Sequence, residues 1–265
     1  MEYIVNGADI KLYQPDFDLD ETLDCGQAFR WERDGEGYSG FMLNKPLHIY
    51  KEKDYFVLKD TSEKDFLETW SDYFDLSTDY GEIKRIFSED ETLSKAYGYA
   101  GGIRILKQDS FEALFSFIIS QNNNIPRIKG IIGRLCEMYG GFPTAEQVRG
   151  VTAEELEPLR SGFRAKYLAD CAEKINCGVI KLDEIKELPA EEARAELMKI
   201  KGVGPKVADC TMLFGMYKLE CVPMDVWMKR VMEKFYPDGF PDYAKPYAGI
   251  AQQYLFHYGR TGDLL

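Results

Sequence analysis

The sequence predicts an α+β protein with an antiparallel sheet in its amino-terminal part and an all-helical remainder. Three observations predict it. Residues 1–60 alternate apolar and polar positions and break at turn signals. After Thr61 the apolar period lengthens to that of a helix. From Asp109 onward one helical segment follows another. With 265 residues, 45% of them hydrophobic and 14% aromatic, the chain can bury a substantial core in one large domain or two.

In order along the chain, residues 29–33 and 37–42 flank Asp34-Gly35-Glu36, a hairpin signal. Residues 47–50 and 55–58 flank a charged turn and read as a second hairpin. Phe66, Trp70 and Phe74 recur at four-residue spacing and place one helix there. Asp109 with Glu112 makes an acidic capping box for a helix over 111–120. The pattern over 125–139 stops at Gly140-Gly141. Further helices are expected over 165–176, 189–200, 205–217, 225–235 and 245–258. No internal repeat, low-complexity tract or flexible linker interrupts the chain. The expected division is a sheet domain with flanking helices over 1–105 and a helical domain over 106–265, with a cleft between them as the natural site.

The net charge is −12, which at first opposes a nucleic-acid partner. It is unevenly spread: residues 1–100 carry 11 Lys+Arg against 23 Asp+Glu, and residues 101–265 carry 22 against 22. Over 101–134, Arg104, Lys107, Arg127, Lys129 and Arg134 face only Asp109 and Glu112, so a local basic surface is expected. Binding to DNA would then be modest and strongly salt-sensitive. The strongly acidic first part has no role derivable from the sequence. Cys25, Cys136, Cys171, Cys177, Cys210 and Cys221 form no C-x-x-C pair, which argues against a zinc site, an iron–sulfur cluster or a disulfide framework. Reduced, mostly buried thiols are expected. No apolar run has membrane-spanning length and Met1-Glu2-Tyr3 opens no leader, so the chain reads as cytoplasmic.

The most informative stretch is Ile200-Lys201-Gly202-Val203-Gly204-Pro205-Lys206. Two glycines permit a tight hairpin, and Pro205 suits the first position of a helix. The free N–H groups of that helix, with Gly202, Val203 and Gly204 before them, make a phosphate site. Lys206 falls in the first turn, where a cation is disfavoured. The same field favours the free amine that a Schiff-base nucleophile needs. Lys206, Asp209 and Cys210 share one helix face. Asp225, after Val222-Pro223-Met224, is placed at the N-cap of the next helix.

KGVGPKVADC followed by VPMDV resembles the helix-hairpin-helix/Gly-Pro-Asp superfamily of DNA glycosylases, and more specifically its 8-oxoguanine DNA glycosylase branch. The resemblance covers nearly the whole chain. It includes Asp24-Cys25-Gly26-Gln27-Ala28-Phe29-Arg30-Trp31, the run Ser116 to Ile125 with its three asparagines, Gly162-Phe163-Arg164-Ala165, and Ala251-Gln252 with Phe256. It implies a TBP-like sheet domain followed by a helical glycosylase domain, with the helix-hairpin-helix at about 190–217.

The resemblance also implies roles. Lys206 would attack C1′ of the damaged nucleotide, and Asp225 would orient it and stabilise positive charge on the sugar. The resulting Schiff base would permit β-elimination, coupling glycosylase and lyase activities. Phe256 and Cys210 would stack on the two faces of a flipped base, and Gln252 would read its Watson–Crick edge. The carbonyl of Gly26 would accept the N7–H that distinguishes 8-oxoguanine from guanine. Asn122, Arg127 and Arg164 would contact the orphaned cytosine, with Phe163 wedged into the gap.

Two positions depart from the pattern of eukaryotic relatives. Phe163 stands where a tyrosine is common, and Trp227 stands where a histidine is common, with an indole N–H to replace the histidine as a phosphate contact. His48 and His257 match no catalytic position and read as structural. The expected partner is double-stranded DNA containing 8-oxoguanine, with no membrane, no metal and no cofactor, and a monomer holding the whole site. A prokaryotic source would imply association with the nucleoid. Two rival readings are a glycosylase for another damaged purine and a non-enzymatic DNA-gripping hairpin module.

Overall fold

The amino-terminal strands all join one sheet. The computed structural model of the chain describes residues 1–262 and Leu264, without the side chain of Thr261. Strands β1 (Glu2–Asn6), β2 (Asp9–Tyr13), β3 (Trp31–Asp34), β4 (Gly37–Met42), β5 (Lys45–Glu52) and β6 (Tyr55–Leu58) form a six-stranded antiparallel sheet in the order β1-β2-β6-β5-β4-β3. Register follows the alternation in sequence. Leu58 pairs with Ile10 on one side and Ile49 on the other, and all three are fully buried. A one-residue slip would turn that apolar face to water. Both expected hairpins form, although Phe29 and Arg30 lie outside β3.

Against this face stands an aromatic layer. Trp31 meets Trp70, Tyr73 and Phe74, and its indole N–H donates to the Tyr73 hydroxyl at 2.8 Å. The single helix expected around Phe66, Trp70 and Phe74 is instead α2 (Glu63–Asp65), a π-helical turn (Phe66–Trp70) and α3 (Ser71–Tyr73). Hydrogen bonds in the π turn span one residue more than those of an α-helix. A short α1 (Leu19–Leu23) and two helices not anticipated, α4 (Tyr80–Phe87) and α5 (Glu91–Ala100), complete this part. Each starts at an aspartate cap, Asp18, Asp79 or Asp90.

Residues from Gln108 to Pro223 make a second unit. Its elements are α6 (Ser110–Ser120), α7 (Ile125–Tyr139), α8 (Ala165–Asn176), α9 (Leu182–Glu187), α10 (Ala190–Leu197) and α11 (Pro205–Gly215). Asp109 caps α6 by accepting from the N–H groups of Phe111 and Glu112 at 3.0 and 2.9 Å. Helices α6 and α11 pack together and are buried along most of their length. Gln108 N–H to Phe214 C=O at 3.0 Å and the Ser110 hydroxyl to Gly215 C=O at 2.7 Å join their ends.

The chain then returns to the first unit. Met224–Leu265 groups with Met1–Lys107, and contributes α12 (Val226–Phe235) and α13 (Ala248–Thr261), which pack on each other, with α13 also against α5. The expected helix over 245–258 begins with a 3-10 turn at Lys245–Tyr247 and runs on to Thr261.

The expected basic surface over 101–134 is not what these residues build. Arg104 is fully buried, stacked 4.1 Å from the Tyr80 ring. Its guanidinium donates to the carbonyls of Phe74, Asp16, Asp75 and Thr78. Lys107 pairs with Asp72 and Asp75. Arg134 donates twice to the Leu159 carbonyl. Of the five, only Arg127 is exposed. None of the six cysteines is in a disulfide; Cys25, Cys171, Cys210 and Cys221 are buried, Cys136 is half-buried and Cys177 exposed. Among the described residues no helix is long and apolar enough to cross a membrane.

Arg104→Ala would strand four carbonyls around a cavity. Urea unfolding is expected to show a loss of at least ~3 kcal/mol. The slope of DNA affinity against salt should stay unchanged, because a buried arginine neutralises no phosphate. A shallower slope would return Arg104 to the DNA footprint.

Candidate nucleic-acid interface and active site

The hairpin of the second unit lies between α10 and α11 and is braced by α8. Gly202 has φ +80°, and a Cβ there would sit 2.4 Å from the Tyr167 ring. The Lys201 N–H donates to Asp170 at 2.7 Å, and Lys174 ties Asp170 to the Lys199 carbonyl. Val203 is buried beneath the turn and its N–H bonds the Ile200 carbonyl at 3.1 Å. Gly204 is the N-cap of α11 and has no side chain to cap it, and Pro205 is N1. The N–H groups of Lys206 and Val207 open the helix, while the first ladder bond runs from Ala208 N–H to Gly204 C=O at 3.0 Å.

Lys206 is exposed on the first turn of α11, while Val207 to Gly215 is buried. An exposed side chain therefore stands on a buried helix. The buried body is fixed by an ion pair: Arg194 Nε donates to Asp209 Oδ1 at 2.7 Å, joining α10 to α11. Burial pushes the Asp209 carboxyl above its usual range, with Arg194 acting in the opposite sense. Asp209 is thus a strut of the motif. Cys210 is buried one residue on.

The second predicted cluster lies in the same unit. The asparagine run divides its labour. Asn123 Nδ2 donates to the Ile119 carbonyl at 3.1 Å, and Asn124 Oδ1 accepts from Arg127 N–H at 3.0 Å as the N-cap of α7. Asn122 is left exposed, in the left-handed region at φ +46°. Arg164 is buried and holds this loop: it donates to the carbonyls of Gln121, Asn122 and Ser161. Its guanidinium also lies 4.4 Å from the Phe163 ring centroid. Burial, and then the charge of Arg127, hold it below the usual arginine range. Phe163 is 50% exposed. Asn122, Arg127, Phe163 and Arg164 are therefore brought together, three of them at the surface and Arg164 beneath.

In the first unit, Gly26 follows α1 with φ +89°. Asp225 is half-buried and caps α12, its Oδ1 accepting from Met228 N–H at 2.8 Å. Trp227 is exposed on the first turn of α12 with Arg230 over its ring at 5.5 Å. Gln252 is buried and Phe256 half-buried, one turn apart on α13. Among the described residues no group of His, Cys, Asp or Glu gathers as a metal site.

Comparison with known proteins follows the same outline. Residues 9–114 match the profile of the 8-oxoguanine DNA glycosylase N-terminal domain, and residues 115–244 match the HhH-GPD superfamily of base excision DNA repair proteins. An N-glycosylase/DNA lyase of Saccharomyces cerevisiae is 31% identical, over 82% of this chain and 68% of the yeast protein. The chain belongs to the 8-oxoguanine DNA glycosylase family. The solved structure of MBOgg1 with a low-affinity DNA ligand superposes at a TM-score of 0.92, with 39% identity, covering 98% of this chain and 99% of that one. The Clostridium acetobutylicum 8-oxoguanine glycosylase/lyase, solved with double-stranded DNA holding cytosine opposite 8-oxoguanine, superposes at 0.89, again with 39% identity and 98% coverage of both chains.

Two residues of this glycosylase were not singled out from sequence. Gln27 is buried beside Gly26; its Nε2 donates to the Thr22 and Arg104 carbonyls at 2.9 and 2.8 Å, and its Oε1 accepts from Leu106 N–H at 2.9 Å. It fixes the loop whose carbonyl the family resemblance assigns to lesion reading. Its position inside the quoted motif was a signal; its partners Arg104 and Leu106, 77 and 79 residues away, were not visible. Tyr167 supports the hairpin at Gly202 and meets the Phe163 ring edge-on at 5.7 Å. The four-residue spacing from Phe163 was its signal.

The two hairpin glycines should respond differently. Gly202→Ala is expected to cost about 2–3 kcal/mol, from the left-handed backbone and the Tyr167 clash. Gly204→Ala has open space around it and should cost less than about 1 kcal/mol. Chemical denaturation of both variants measures the difference, and the reverse ranking would remove Tyr167 as the reason for Gly202.

Proposed function

We infer that the protein is a bifunctional base-excision enzyme, an N-glycosylase and DNA lyase that removes 8-oxoguanine opposite cytosine from duplex DNA. The observation that carries this reading is Lys206, an exposed amine at the uncapped start of the buried helix α11. The substrate follows from the C. acetobutylicum relative, whose 39% identity extends over 98% of both chains. A non-enzymatic hairpin module would leave the lysine and the Gln252–Phe256 helix without a role.

In the proposed mechanism the free amine of Lys206 attacks C1′. The bond from C1′ to the base breaks, its electron pair leaves on the base nitrogen, and that nitrogen takes a proton. The carboxylate of Asp225 stabilises the cationic sugar as the bond stretches. The amine then loses a proton, the ring opens, and an imine links enzyme to sugar. Loss of a C2′ proton expels the 3′ phosphate by β-elimination, and water releases the enzyme. Gly26 and Gln252 read the lesion, with Cys210 and Phe256 stacking on it. Asn122, Arg127 and Arg164 recognise the orphaned cytosine, and Phe163 fills the gap. Gly202, Val203, Gly204 and Trp227 hold phosphates.

In our reading the sheet domain is 1–105 and the glycosylase domain 106–265; family profiles that meet at 114/115 support a division near that boundary, while compactness groups the chain from Met224 with the sheet. A monomer acting on cytoplasmic DNA, and on the nucleoid in a prokaryote, fits a site assigned entirely to one chain.

Borohydride reduction in the presence of duplex 8-oxoguanine is expected to trap a covalent complex with the wild type and none with Lys206→Gln. An absence of both trapping and base release with the wild type would overturn the enzymatic reading. For Asp225, charge and cap separate. Asp225→Asn keeps a cap acceptor, so thermal stability should hold while single-turnover excision falls about 10²–10³-fold. Equal rates for Asp225→Asn and the wild type would leave Asp225 as a cap alone.

A further inference from the structure

Two adjacent carboxamides on α13 are coupled. Gln253 Nε2 donates to Gln252 Oε1 at 2.7 Å. Both side chains are buried, 3% exposed for Gln252 and 5% for Gln253. Gln253 Oε1 is itself buried with no hydrogen-bond partner. Buried acceptors are paired in the great majority of cases, so an orphan of this kind asks for a reason. Neither the family resemblance nor the proposed mechanism gives Gln253 any part.

The chemistry of the amide instead gives a role to the Gln253 Nε2 bond to Gln252. A glutamine side chain can be turned over by 180° with little change of shape, exchanging its acceptor oxygen for its NH₂ donors. Guanine-type bases present a C6 carbonyl and an N1–H on the Watson–Crick edge. Adenine-type bases present the reverse, an N6 amino group and an N1 acceptor. One unrestrained glutamine can therefore serve either edge by flipping. Gln252 as observed cannot flip alone, because its NH₂ would then face the NH₂ of Gln253.

We propose that Gln253 is a positioning residue that locks the Gln252 amide in the orientation complementary to a guanine-type edge and so excludes adenine-type lesions. In that orientation Gln252 Nε2 donates to O6, and the second lone pair of its oxygen accepts from N1–H. The proposal rests on Gln252 as the reader of the base. It adds the element that decides which way that reader faces.

Single-turnover excision of 8-oxoguanine and of 8-oxoadenine, each opposite cytosine, tests it with three variants of the full chain. Gln253→Met removes the donor at similar volume and should narrow the wild-type preference for 8-oxoguanine about tenfold, the equivalent of one hydrogen bond. Gln253→Glu accepts but, ionised, cannot donate. It should turn Gln252 over and narrow the preference further still, through a fall in the 8-oxoguanine rate and a rise in the 8-oxoadenine rate. A residue needed only for packing would slow both lesions together and leave their ratio alone. Gln252→Ala reports on the underlying reading: an unchanged 8-oxoguanine rate would remove Gln252 from the base site. If Gln252→Ala slows excision while both Gln253 variants keep the wild-type ratio, the lock is overturned and the reader stands. Melting temperatures confirm that the compared variants are folded.

Discussion

The second unit depends on α11 being buried along its body and open at its start. Val207 to Gly215 packs against α6 and is pinned by the Arg194–Asp209 pair, so the helix cannot shift to accommodate a ligand. Its first turn has no side-chain cap, because Gly204 has none to offer and Pro205 has no N–H. A helix held in this way leaves N–H donors and the positive end of its dipole where a phosphate can use them. Lys206 rides on that end. The other features of the unit maintain the geometry: Tyr167 under Gly202, Asp170 on Lys201, and Tyr167 again beside Phe163.

The acidic balance of the chain then reads differently. A DNA-repair enzyme with a net charge of −12 cannot rely on a broad cationic surface. Most of the cations that seemed available over 101–134 are committed internally, Arg104 and Arg134 to carbonyls and Lys107 to carboxylates. The proposed reading assigns attraction to DNA instead to backbone N–H groups and a few exposed cations such as Arg127, Lys201 and Lys206. A small set of placed contacts also suits the proposed insertion of Phe163 and reading of an orphaned base, since such contacts fix register more than they add bulk affinity.

Much of this was legible in the chain. Helix starts were readable because aspartate caps act within three residues, as at Asp109 and Asp225. The hairpin partners β3–β4 and β5–β6 were readable because a tight turn leaves no choice of pairing. What escaped was set at a distance. The π turn at Phe66 to Trp70 answers to packing against the sheet, not to local propensity. Arg164, expected to contact the orphaned cytosine, lies buried beneath the Gln121–Asn122 loop, 43 and 42 residues away in sequence.

By itself, the sequence determined the α+β class, the order of most elements and the motif residues, from Gly26 through Lys206 and Asp225 to Gln252. The class and the elements are properties of local periodicity and capping, and the motif residues such as Gly26 and Gln252 came from the family resemblance. Only the tertiary structure decided which cations are free, which asparagine faces outward, and that Gln253 holds Gln252. It also returned the last helices, α12 and α13, to the unit that carries the sheet. The physical reason is common to all four. Burial and hydrogen-bond partnership belong to pairs of segments, and a single stretch of chain carries no record of what will lie against it.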